Sequence, residues 1–290
     1  MAAFSFSLRK RPKRPQKEAE NSIQYRHIVH EQVESTNLCV KSAIDAGQAE
    51  GLVVRAASQT AGYGRQGRTW VSPQGGLYLS VLLRPTVRLA VLPSLSLVAA
   101  VAICRALRRL LPAEALADVR IKWPNDIILV PAPLCPSSAR PALAPPVLSS
   151  QRIKKLCGIS LEAYRGAVCL GVGLNVARPG EAALVEGKNT PVYLSDLGFL
   201  GSVDDVAEVV LAEFSRAYGE WQEHGLAPFV CAFEELLAYR GEVVEVRDIA
   251  GKVHARGVLQ GIDDGGGLLI EQDGAQSCIS SGELHPVASR

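Results

Sequence analysis

No C-x-x-C pair occurs anywhere in the chain, although its 290 residues include seven cysteines. Cys39, Cys104, Cys135, Cys157, Cys169, Cys231 and Cys278 are scattered and odd in number. That pattern argues against a zinc site or a disulfide framework and for a reducing compartment. Net charge is nearly absent too: 31 Lys and Arg against 29 Asp and Glu leave +2, so the overall balance does not describe a nucleic-acid binder. No apolar run reaches the length of a bilayer span. The longest candidate, residues 89–103, is interrupted by Pro93 and two serines, so a soluble protein without a membrane partner is expected. No apolar h-region precedes a small-residue cleavage site, so no secretory signal peptide is expected. His27 and His30 lie three apart, but the stretch RHIVHEQV alternates like a strand and puts them on opposite faces. No residue is a certain metal ligand.

What is present is ordinary for a globular protein: 48% hydrophobic and 21% charged residues, in a chain long enough for one large domain or a large and a small one. The start is not ordinary. Arg9, Lys10, Arg11, Lys13, Arg14 and Lys17 precede the first acidic residue, Glu18. Such a segment fits a solvated, disordered tail, an organelle-targeting presequence or a nuclear-import-like patch. A cytoplasmic location is expected, with mitochondrion or plastid as the alternative if residues 1–20 are a targeting peptide.

The chemistry is carried by QTAGYGRQGRTW, residues 59–70, with Gly62, Gly64 and Gly67 around Arg65 and Arg68. Glycine lets backbone N–H groups approach a ligand closely, and arginine offers forked, permanently charged donors for carboxylate or phosphate oxygens. The segment therefore reads as a loop that closes over an anion, or equally as a flexible turn with solvated arginines. Three familiar nucleotide motifs fit its letters and fail on context. The G-x-G-x-x-G of a dinucleotide fold must run into a helix, and here VSPQGG follows Trp70. A P-loop would need lysine at Arg68 and a helix after it. A kinase loop would need valine at Thr69 and downstream H-R-D and D-F-G motifs, which are missing.

Four further blocks accompany the loop: VESTN at residues 33–37, KWPND at 122–126, KKLCGISLE at 154–162 and GVGLN at 171–175. In order and spacing the five blocks, which span about half of the chain, closely resemble those of the biotin-protein ligases, a far more specific signal than any one alone. The resemblance implies ATP-dependent attachment of biotin to a lysine of a carrier protein, with biotin and ATP as substrates and Mg²⁺ as the accompanying ion. It implies an α+β fold, a mixed sheet flanked by helices, followed by a small β-barrel. The partner implied is the biotin carboxyl carrier domain of a carboxylase. A homodimer is an assembly the sequence permits, and no DNA partner is expected, since the 32 residues before Val33 lack the helical pattern of a DNA-binding module.

Periodicity supplies the scaffold independently. Residues 27–33 and 51–57 read as strands around a helix at 36–46, with Ser35 and Thr36 as its N-cap residues. A strand at 77–83 leaves the glycine loop. Pro93 suits the first position of a helix whose Leu97, Val98, Val101 and Leu107 recur at helical spacing. Residues 119–123 and 127–130 form a return, 131–152 a proline-rich flexible insertion, and 155–164 with 167–176 a strand pair turned at Arg165-Gly166. Residues 204–221 carry one helical stripe and 228–239 start another helix at Pro228. Short alternating strands after Gly241 read as a β-barrel. The expected division is thus a basic segment at 1–24, a catalytic domain at 25–240 and a barrel at 241–290.

Making an acyl-adenylate requires cations where two anions meet. Arg65, Arg68 and Lys155 are the candidates. Lys155 matches the lysine of the family's K-L-x-G motif, which reaches the biotin carboxylate and the α-phosphate, while its neighbour Lys154 competes on sequence alone. Biotin's ureido ring needs polar partners in an apolar slot, because each unpaired buried group costs roughly 1–3 kcal/mol. Ser35, Thr36, Asn37 and Gln59 are the side-chain candidates, with Gly62, Tyr63, Gly64, Arg65, Lys155, Gly158 and Gly171 completing that pocket. By resemblance Trp70, Asn125 and Asn175 stand on the adenylate side with Arg65, Arg68 and Lys155. Asp126 is a candidate to hold Mg²⁺ or to receive the target lysine's proton. Pro-Asn-Asp is also good turn chemistry. One departure matters: the family loop usually reads G-R-G-R-x-G-R, and here Tyr63 replaces its first arginine, which points to looser retention of the adenylate. Two rivals remain open, a lipoate or octanoate ligase or transferase of the same superfamily and a non-catalytic biotin-binding module.

Overall fold

The computed structural model describes residues 23–130, 153–180 and 190–287. The expected insertion and most of the basic segment lie outside them. The chain begins with β1 (Arg26–Val33), α1 (Thr36–Asp45), β2 (Leu52–Gln59) and β3 (Gly76–Leu83). A 3₁₀ turn at Leu89–Ser94 then feeds α2 (Leu95–Leu110) and the short α3 (Ala113–Leu116). The strands β4 (Val119–Lys122), β5 (Asp126–Leu129), β6 (Lys154–Tyr164), β7 (Ala167–Asn175) and the two-residue β8 (Thr190–Pro191) follow. Next come α4 (Val203–His224) and α5 (Val230–Leu236), and the chain ends with β9 (Val243–Arg247), β10 (Val253–Ile262), β11 (Leu268–Gln272), β12 (Ala275–Ile279) and β13 (Glu283–Pro286).

The first eight strands form one mixed sheet in the order β1-β2-β3-β7-β6-β5-β4, with β8 joined to β6. β1 and β2 are parallel, with α1 as their crossover; β2 to β7 and on to β4 are antiparallel. Side-chain alternation along these strands separates two faces. On one, Leu77, Leu79 and Val81 of β3 and Leu170, Val172 and Leu174 of β7 join the large core beneath α2 and α4. On the other, Val54 and Leu82 pack with Val40 and Ile44 of α1. The same face carries Ser80, Gly171 and Gly173, which a hydrophobic core would not select.

Helix α4 starts as its sequence demands: Ser202 Oγ accepts from Asp205 N at 3.1 Å, while Ser202 N donates to Asp205 Oδ2 at 2.7 Å. Its stripe buries Phe214, Tyr218 and Trp221, whose rings stack at 5.8 Å centroid spacing. Several expectations need correction. Pro93 lies within the 3₁₀ turn rather than opening α2. Ser35 holds the N-cap position of α1 without a side-chain capping bond. The helix expected from Pro228 is a 3₁₀ turn, Ala227–Phe229, followed by seven residues of α5. The continuous helical stretch Leu89–Leu110 is, by length and composition, apolar enough to cross a membrane, because Pro93 and the serines do not interrupt it. Most of it is instead buried between the sheet and α4, as a core helix is.

The C-terminal strands form a five-stranded antiparallel sheet, β12-β11-β10-β9-β13, where the barrel was expected. Trp123 Nε1, just after β4, donates to Gly266 O of the β10–β11 turn at 2.9 Å, and Ile262 N donates to Glu234 Oε1 of α5 at 3.1 Å, which fastens this sheet to the first.

Candidate active site

The floor of the site is a patch of missing side chains. Ser80, Gly171 and Ser160 align across β3, β7 and β6, and Tyr78, Gly173 and Gly158 form the next row. A Cβ on Gly171 would sit 2.3 Å from Asn37 Oδ1, and one on Gly173 would sit 2.5 Å from Trp70 Nε1. A Cβ on Gly158 would touch both Trp70 and Lys155. The glycines thus make two bays, one filled by Asn37 of α1 and the other by the Trp70 indole.

Trp70 reaches its bay because residues 62–70 fold as a narrow hairpin. Gly64 N donates to Arg68 O at 2.8 Å, Tyr63 bridges Thr69, and Trp70 N donates to Gly62 O at 2.8 Å. The tip is one turn over Arg65–Gly67, with Gln66 and Gly67 both at positive φ. The segment is therefore a hairpin and not a phosphate-cradling helix start.

Beside Asn37 a polar network fills the α1 side of the floor. Gln59 Oε1 accepts from Thr36 N at 2.8 Å and Thr36 Oγ1 at 3.1 Å, and Gln59 Nε2 donates to Ser72 Oγ at 2.8 Å. Ser80 Oγ lies 2.8 Å from Thr36 Oγ1 and 2.5 Å from Asn37 Oδ1. Asn37 Nδ2 donates to Ser160 Oγ at 3.0 Å and to Glu162 Oε1 at 2.8 Å. Ser35, Thr36 and Asn37 are almost fully buried here. Of the expected biotin-side residues, Ser35, Thr36, Asn37, Gln59 and Gly171 lie on this side, with Gly62 against Gln59 and Ser72 and Tyr63 against Lys41 of α1; Arg65, Lys155 and Gly158 lie at the other bay, and the Gly64 backbone serves the hairpin.

At the other bay Lys155 Nζ lies 2.7 Å from Asp126 Oδ1 and 5.1 Å from the centre of the Trp70 ring. The β5–β6 register explains why this lysine turns inward. Pairing slips between Ile127↔Cys157 and Ile128↔Lys155, so Leu156 is an extra residue. That bulge reverses the alternation, putting Lys155 on the face of Gly158 and leaving Lys154 exposed. Arg65 Nη1 donates to Asn125 Oδ1 at 3.2 Å, Asn125 Nδ2 to Ile159 O at 2.6 Å, and Asn175 Nδ2 to Lys155 O at 3.1 Å. Arg68 is not brought to the Lys155–Asp126 pair; it forms an ion pair with Glu283 of β13.

Four cations, Arg65, Arg68, Lys122 and Lys155, thus share the region with two carboxylates, Asp126 and Glu283, an excess suited to an anionic ligand. Burial pulls the pKa of Lys122 and of Arg65 below their ordinary values, partly offset by the two carboxylates. Glu283 is held down to about 2, first by the His285 imidazole 3.6 Å away and then by Arg68, against burial. Burial pushes the Cys157 thiol up, so it is an inert core residue. Sequence reasoning missed Lys41, Ser72, Ser80, Lys122, Ser160, Glu162, Gly173 and Glu283. Lys122, Ser160, Glu162 and Gly173 lie inside motif blocks, and the period-2 spacing of Gly171 and Gly173 in a strand was the available signal. Among the described residues no three His, Cys, Asp or Glu side chains converge. Asp126, one of the two carboxylates of this region, suits Mg²⁺ held mainly by phosphates, the usual habit of that ion.

Residues 29–176 match the model of the biotin/lipoate A/B protein ligase family. The biotin–[acetyl-CoA-carboxylase] ligase of Paracoccus denitrificans is 30% identical over 80% of this chain and 88% of its own length. A bifunctional ligase/repressor of Bacillus spizizenii is 29% identical over 93% of this chain and 79% of its own. The biotin protein ligase of Aquifex aeolicus, solved with biotin and ATP, superimposes with a TM-score of 0.71 at 26% identity, covering 91% of this chain and 99% of that one.

Proposed function

We propose that this chain, which belongs to the biotin/lipoate A/B protein ligase family, activates biotin with MgATP as biotinyl-5′-adenylate and transfers the biotinyl group to a carrier-domain lysine. The observation that carries the reading is the placement of Lys155, beside Asp126 and under the Trp70 ring, next to a glycine floor on which the Trp70 indole lies. In the first step a biotin carboxylate oxygen attacks the α-phosphorus and pyrophosphate leaves. Lys155 can turn from Asp126 to the carboxylate and stay with the charge that develops on the α-phosphoryl oxygens. Arg65, held by Asn125, contributes a second cation. Asp126 would hold Mg²⁺, which neutralises phosphate charge when bound.

In the second step the carrier amine attacks the acyl carbonyl, AMP leaves, and the new amide nitrogen loses a proton, for which the Asp126 carboxylate is the candidate acceptor. The Thr36, Asn37, Gln59 and Ser80 network supplies donors and acceptors for the ureido ring. Incubation with labelled biotin, MgATP and a biotin carboxyl carrier domain should label the carrier. Labelling by lipoate or octanoate instead, or binding of biotin with ATP without any labelling, would contradict the reading.

A further inference from the structure

Lys41 lies in none of the motif blocks, yet it is the most heavily bonded cation of the α1 side. Its Nζ lies 2.5 Å from Glu162 Oε2 and donates to Tyr63 OH at 3.1 Å. The same ammonium lies 5.7 Å from the centre of the Tyr164 ring. Glu162 in turn accepts from Asn37, whose carbonyl oxygen receives Ser80. Burial opposes the charge on Lys41, but the bonds to Glu162 and Tyr63 outweigh it and hold its pKa above the ordinary value. Burial raises the Tyr63 phenol, which stays neutral at pH 7. A charge-assisted contact thus joins three elements, α1, β6 and the first limb of the hairpin, at a residue where the family resemblance leads one to expect arginine.

The hairpin's geometry gives this contact a consequence at a distance. Tyr63 bridges Thr69 and Gly62 bonds Trp70, so whatever fixes Tyr63 fixes the opposite limb as well. That limb carries Trp70 over Gly158 and Gly173, and the tip carries Arg65 to Asn125. We infer that Lys41 is a positioning residue for the hairpin: by tying Tyr63 to Glu162 it holds Trp70 and Arg65 in place and so retains the adenylate. The inference rests on the reaction proposed above. Lys41 touches none of the reacting atoms; a cation on α1 stabilises the hairpin that a cation of the hairpin itself would otherwise anchor.

The test separates formation of biotinyl-adenylate, read as pyrophosphate release in a single turnover, from its escape, read as adenylate recovered in a protein-free filtrate. K41M, Y63F, the double variant and K41R are compared with the parental protein. Y63F keeps the Lys41–Glu162 pair, so it removes the tie without leaving a carboxylate unpaired. Loss of one charge-assisted hydrogen bond corresponds to about a tenfold rise in escape relative to formation in K41M and in Y63F. The double variant should escape no faster than K41M, and K41R should retain the adenylate as the parental protein does. Parental retention in both single variants, additive effects in the double, or K41R behaving as K41M would overturn the inference. Trypsin cleavage at Arg65 in ligand-free protein gives a second readout that does not need the reaction. It should be faster in K41M and Y63F, and equal cleavage would also overturn the tie. A parental protein that forms no adenylate would instead count against the proposed reaction.

Discussion

Arg68, on the glycine hairpin, forms an ion pair with Glu283, 215 residues later in the chain, and so clips the hairpin to the C-terminal sheet. Because Glu283 drops from an ordinary 4.5 to about 2, its contribution to stability is present above pH 4.5 and is lost as pH falls through 2. Arg68 is half exposed, so solvent screening limits the worth of the pair to about 1 kcal/mol. E283Q should therefore lower the urea midpoint at pH 7, and the gap to the parental protein should close between pH 4.5 and 2. A gap that persists unchanged at pH 2 would contradict the assignment.

A methyl group on Gly173 would meet Trp70 Nε1 at 2.5 Å on a rigid, paired strand, so the indole must move. On Gly158 the nearest atoms, at 3.2 to 3.4 Å, include the flexible end of Lys155, which can yield. G173A should raise the KM for ATP on the order of tenfold, the effect of a displaced positioning contact, and G158A should raise it less. Steady-state kinetics with ATP varied would show this order, and the reverse order would remove Trp70 from the nucleotide side.

The hairpin tip carries Gly67 at positive φ and packs little surface, so its stability is local and low. Biotin with MgATP should protect the Arg68–Thr69 bond from trypsin, because ordering over a hydrolysable anhydride excludes water. Biotin alone should protect less. Cleavage rates that are equal with and without ligands would show that the hairpin does not close.

Much of this was legible before any coordinates. The β6–β7 pair and its Arg165-Gly166 turn follow from alternating apolar residues around two positions that adopt positive φ. The α4 stripe follows from helical period, whereas its Ser202–Asp205 cap entered with the structure. Other features were not legible for identifiable reasons. Gly171 and Gly173 shape the floor through absent side chains, and hydrophobic periodicity registers only side chains that are present. The choice of Lys155 over Lys154 depends on the bulge at Leu156, which pairing with β5 creates and no local pattern announces. Lys41 meets Glu162 across 121 positions and Arg68 meets Glu283 across 215, so neither partner could be named from spacing. Residues 89–110 show the opposite limit. Proline and serine suggested an interruption, but a 3₁₀ turn absorbs Pro93 and Ser94 Oγ bonds back to Val91 O at 2.7 Å.

Biotin-dependent exchange of labelled pyrophosphate into ATP tests the central assignment most directly, since it reports adenylate formation without any carrier. The parental protein should catalyse the exchange. Lys155→Ala should reduce it about a hundredfold, the loss of about 3 kcal/mol expected for a charged contact made in the transition state. It should remain folded, because the side chain is a partly solvated lysine rather than a core residue. Lys154→Ala, on the exposed side of the bulge, should exchange at close to the parental rate. Absence of exchange in the parental protein, or equal exchange by the two variants, would contradict the account.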